Sequence, residues 1–128
     1  MNLNLSLLPN RYAICRLSSE APIPDWAGPD DFLSITRTAD ELSIVCAEAG
    51  IPDGVKCDRG WRCLKVAGPL DLSLTGVLAS LANPLAEARI NIFAISTFDT
   101  DYLLVKAENL ALAAEVLIQS GHRVNDLS

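Results

Sequence analysis

The chain has 128 residues, half of them hydrophobic and 20% charged, with a formal net charge of −6. This composition argues against a disordered chain, and an acidic surface without a basic stripe argues against nucleic-acid or membrane-surface binding. No apolar run approaches the ~20 residues of a membrane helix, so a soluble, cytoplasmic protein is expected.

Leu3–Leu8 alternates leucine with polar residues, and Pro9-Asn10 turns it into the apolar run Tyr12–Leu17. An opening pair of strands is therefore expected here, rather than a signal peptide. Residues 21–30 hold three prolines, Trp26 and Gly28, enough to restrict them to a loop or short helical turn. Phe32–Thr36 and Leu42–Ala47 form a hairpin around Thr38-Ala39-Asp40. The Gly-, Pro- and Asp-rich stretch Ala49–Gly60 reads as a linker.

A second unit opens with the strand Trp61–Ala67, broken by Gly68-Pro69-Leu70-Asp71. A helix is expected from Ser73 to Glu87, with Leu74, Val77, Leu81 and Leu85 as its core face and Pro84 removing the hydrogen bond to the Ser80 carbonyl. Strands Ile92–Thr97 and Tyr102–Lys106 follow. A last helix over Asn109–Ser120 has Asn109 as N-cap and Gly121 as its stop, and residues 122–125 close as an edge strand.

Residues 32–48 align without gaps on residues 92–108, an offset of 60 that places Glu41 on Asp101. The chain thus divides into an abbreviated unit, 1–60, and a complete β-α-β-β-α-β unit, 61–128. The fold class expected is α+β, with antiparallel sheets and helices on one face. A pseudo-symmetric pair has a cleft at its seam, where small ligands tend to bind.

Nothing in the chain supports catalysis, a metal or a cofactor. The single histidine, His122, lies near an edge-like terminus and reads as a surface or sheet-edge imidazole. Cys15, Cys46, Cys57 and Cys63 read as reduced thiols without metal-ligand spacing. A binding constellation remains. The Gly68–Gly76 segment leads into a helix whose first N–H groups can receive a carboxylate. Asp101, at the tip of the second hairpin beside Phe98, can face an ammonium group. Together they complement a free amino acid.

These residues resemble a known family. Gly68-Pro69-Leu70, the run Leu74–Ala79, Asn83-Pro84-Leu85-Ala86 and the run Ile95–Val105 resemble the small bacterial tandem ACT-domain proteins. They are also similar to the ACT pairs of the animal cytosolic arginine sensors. The resemblance implies an amino-acid-binding regulatory module with its ligand between the two units. By position it implicates Gly76, Val77, Thr97, Phe98 and Asp101, with the backbone of Ser43 and Ile44. The position aromatic in the sensors is Thr100 here, a departure from the pattern that goes with arginine specificity. Any regulated protein partner is expected as a separate molecule, and the chain as a homodimer. The alternative is a protein-interaction or dimerisation module without a small ligand.

Overall fold

Period-two burial marks the strands: Asn4–Leu7 (β1) buries Leu5 and Leu7 and turns Asn4 outward. The computed structural model describes residues 1–71 and 73–127; Leu72 of the strand–helix motif and Ser128 lie outside the described residues. After β1 come Tyr12–Leu17 (β2), Ser34–Arg37 (β3), Leu42–Ala47 (β4), Cys57–Val66 (β5), Val77–Glu87 (α1), Ile92–Ser96 (β6), Asp101–Lys106 (β7), Leu110–Gln119 (α2) and Arg123–Asn125 (β8). The fold class is α+β. The described residues form two compact units, one of residues 1–9 with 62–71 and 73–127 and one of Asn10–Trp61.

The larger unit contains the order β5-α1-β6-β7-α2-β8 of a ferredoxin-like fold, with one modification. β1 lies between β5 and β8, antiparallel to β5 (Leu5 opposite Val66) and parallel to β8 (Leu5 opposite Val124). β7 pairs with β5 and β6 on the other side. β1 and β2 are therefore not paired to each other, contrary to the expected opening pair. β1 pairs with residues 64–66 of β5, while β2 pairs with residues 57–61. Cys57–Gly60, read as linker, is strand because β2 supplies its partner.

Helix α1 buries Val77, Leu81 and Leu85, and the two leucines join a core shared with Leu5, Leu64, Val66, Leu103, Val105 and Leu117. Each fully buried leucine contributes roughly 1.5–3 kcal/mol. The helix starts at Val77 rather than Ser73, because Gly76 has φ +80° and interrupts helical geometry. Leu74 consequently lies outside the helix and is 50% exposed, not core.

His122 is also placed differently from expectation: it is buried, not a surface imidazole. Its Nδ1 accepts the Leu3 N–H at 3.1 Å, and its Nε2 lies 3.1 Å from the Ser80 carbonyl. That carbonyl is the one Pro84 leaves without a helix donor. The ring is thus the Nε2–H tautomer, donating to Ser80 where the helix cannot.

In the smaller unit β4 lies between β3 and β2, with Ile35 and Cys15 on either side of Ile44. One face holds Ala13, Cys15, Leu42, Ile44 and Cys46, covered by Ala27 and Ile51 with Trp26 packed alongside. No helix is needed for that cover.

The two hairpins share one turn. Thr38 N–H donates to the Glu41 carbonyl at 2.9 Å, and Thr97 N–H to the Thr100 carbonyl at 2.8 Å. In each, the threonine hydroxyl bonds within the same four-residue loop. The strands beside the turns pair Arg37 with Leu42 and Ser96 with Asp101. The hairpins therefore correspond at an offset of 59, not 60. Asp101 matches Leu42, and Glu41 matches Thr100.

Candidate functional site

A cleft of about 330 Å³ in the larger unit lies between the loop leaving β5, the start of α1 and the tip of the β6–β7 hairpin. Hydrogen bonds join loop and hairpin. The Leu70 N–H donates to the Asp99 carbonyl at 2.6 Å. Thr100, buried, donates its hydroxyl to the Val66 carbonyl at 2.7 Å, tying the tip to the end of β5. Gly68 makes this approach feasible: a Cβ there would stand 3.0 Å from the Asp99 carbonyl oxygen and 3.1 Å from the Thr100 Cβ.

One wall of the cleft is the first turn of α1. The first helical bond runs from the Ser80 N–H to the Gly76 carbonyl at 2.9 Å. The N–H groups of Val77, Leu78 and Ala79 precede it and have no intrahelical acceptor, and among the described residues no side chain caps this end. Ser73, expected as the start of this helix, donates its N–H and hydroxyl to Asp71 Oδ1, both at 2.9 Å. These bonds hold the Asp71 carboxyl below its usual range.

The opposite wall carries Asp101, half-buried, whose Oδ1 accepts the Ser96 hydroxyl at 2.5 Å. Phe98 is 79% exposed at the rim. Among the described residues Asp71, Asp99 and Asp101 all line the cleft, and no lysine or arginine does. Among the described residues, no cluster of His, Cys, Asp or Glu could hold a metal ion.

Of the residues singled out in the sequence, Gly76, Val77, Thr97, Phe98 and Asp101 line this one cleft. Ser43 and Ile44 belong to the smaller unit, on β4, where Ile44 is buried and Ser43 half-buried. Sequence reasoning missed Thr100 and Gly68, which hold the loop and hairpin together, and Ser96, which bonds Asp101. The available signal was the threonine that opens each hairpin turn, Thr38 and Thr97, each followed two residues later by an aspartate.

A family model described as the ACT domain matches residues 56–119, half of the chain. The chain belongs to the ACT domain family. A separate model, of an N-terminal domain, matches residues 10–54. The ACT chain is 40% identical over 58 residues to the human cytosolic arginine sensor for mTORC1 subunit 1, covering 44% of this chain and 18% of the sensor. It spans less than a fifth of that relative.

Among solved structures, an Agobacterium tumefaciens protein is 44% identical with a TM-score of 0.92, covering 97% of this chain and 92% of that one. The regulatory subunit of aspartate kinase from Thermus thermophilus shares the fold at 12% identity, with a TM-score of 0.61 and coverage of 91% and 96%. In the sensor and this subunit, the ACT fold occurs in sensing or regulatory proteins. No helix among the described residues is long and apolar enough to cross a membrane.

Proposed function

We propose that this ACT protein is a non-catalytic, cytoplasmic regulatory module that binds a free amino acid and acts on a protein partner. The ligand carboxylate meets the uncapped N–H groups of Val77, Leu78 and Ala79, where the helix dipole favours negative charge. The ligand ammonium meets Asp101, whose second carboxylate oxygen has no bond to Ser96. Thr97 and Phe98 bound the side chain. The observation that carries this reading is that an uncapped helix start and a half-buried carboxylate line the same cleft. Its three acidic residues and lack of cations disfavour acidic amino acids as ligands. A contribution from the Ser43 and Ile44 backbone is what the resemblance implies, and the abbreviated ACT-like character of residues 1–60 beside 61–128 is supported by the turn its hairpin shares with the second.

Thermal-shift measurements with each free amino acid test the proposal. At least one neutral or basic amino acid should raise the melting temperature at millimolar concentration, and aspartate and glutamate should not. No shift with any amino acid would favour the interaction-module alternative. The exposed apolar groove along α2, with Leu110, Ile118 and Leu127 on its walls, is the surface available to that alternative.

A further inference from the structure

The smaller unit brings three of the four cysteines onto one face of its sheet. Cys15 on β2 stands directly opposite Cys57 on β5. In the same register, the Arg16 N–H donates to the Lys56 carbonyl at 3.0 Å, making Arg16 and Lys56 a hydrogen-bonded pair. Antiparallel pairs alternate, so Cys15 and Cys57 form a non-hydrogen-bonded pair. In such pairs the Cα atoms are roughly 4.5 Å apart, within the span of a disulfide. The Cys15 thiol also interacts electrostatically with both Cys57 and Cys46.

Cys46 is the less suitable partner. It pairs with Ala13, so it is diagonal to Cys15, at a separation of roughly 7–8 Å where bridging would require backbone movement. Exposure also separates the thiols: Cys15, Cys46 and Cys63 are buried, whereas Cys57 is partly exposed.

We propose that Cys57 is a site of reversible thiol modification by low-molecular-weight disulfides, resolved by Cys15 into a cross-strand disulfide. The Cys57 thiolate attacks one sulfur of the small disulfide, whose S–S bond breaks and releases one small thiol. Cys15 then attacks the Cys57 sulfur. Its proton goes to the departing small thiolate, and the Cys15–Cys57 bond forms. Two protein thiols are oxidised and the small disulfide is reduced to two thiols. Burial, with Cys46 and Cys57 nearby, pushes the Cys15 thiol up to about 12, which suits it to act second rather than first.

The test incubates the folded full chain with oxidised glutathione and follows intact mass and peptide linkage. The wild type should finish two hydrogens lighter, with Cys15 joined to Cys57, and a reductant should restore it. Cys57→Ser should acquire neither bridge nor adduct. Cys15→Ser should stop one glutathione heavier, at Cys57, while Cys46→Ser and Cys63→Ser should behave as wild type. A glutathione adduct that persists on the wild type, a bridge between any other pair, or no reaction of the native chain would overturn the proposal. Because linkage is mapped in the wild type, the test does not depend on any variant folding.

Discussion

At the scale of single residues, His122 shows a side chain whose place is set by a defect elsewhere. Pro84 cannot donate to the Ser80 carbonyl, and the buried imidazole supplies that donor while accepting the Leu3 N–H. His122→Phe keeps an aromatic ring but leaves both groups without this partner. It should cost about 1–3 kcal/mol in urea unfolding. In a Pro84→Ala background the same change should cost less, because residue 84 then bonds Ser80 itself. Equal costs in both backgrounds would show that the two residues are not coupled. No local pattern could reveal this, since the partners lie 42 residues apart. Thr100 was unreadable for a similar reason: its hydroxyl partner is the carbonyl of Val66, 34 residues away.

At the scale of elements, β4 was legible to the residue because its apolar run is bounded by the turn at Thr38–Glu41 and by Glu48. The start of α1 was misread because Leu74 fits the helical period of Val77, Leu81 and Leu85. A glycine at φ +80° outweighs that periodicity. The one-residue error in the repeat came from side-chain matches such as Ala47-Glu48 with Ala107-Glu108, whereas backbone turn bonds set the true offset. A one-residue slip exchanges the faces of a strand, so Asp101 and Glu41 are not counterparts.

The thiols between β2, β4 and β5 give the sheet of the smaller unit a pH dependence. Burial raises both Cys15 and Cys46, Cys15 from its ordinary 9.0 to about 12. The unfolded chain therefore loses these protons first, and their contribution to stability is intact below pH 9 and declines as pH rises toward 12. Under reducing conditions, the melting temperature should fall more steeply between pH ~8 and ~10.5 for the wild type than for Cys15→Ala. Identical slopes would contradict this.

At the scale of the whole molecule, most of the order of the larger unit was readable because its helices and strands alternate in period. The insertion of β1 between β5 and β8 was not, since strand partners are a tertiary property. Among the described residues of this unit β6 pairs only with β7 and β8 only with β1, leaving two strand edges. Unpaired edges favour association with another chain. Light scattering at micromolar concentration should report a homodimer, and a monomer would remove that expectation without touching the cleft.

The amino-acid-binding role is tested most directly by calorimetric titration of the thermal-shift ligand into the wild type and Asp101→Asn. Asparagine retains an oxygen for the Ser96 hydroxyl but loses the charge that would hold the ligand ammonium. A hydrogen bond to a charged group is worth roughly 1.5–3 kcal/mol, so affinity should fall about tenfold to over a hundredfold while ligand-free melting stays nearly unchanged. Equal affinity in the two proteins, or no binding heat from the wild type, would contradict the account.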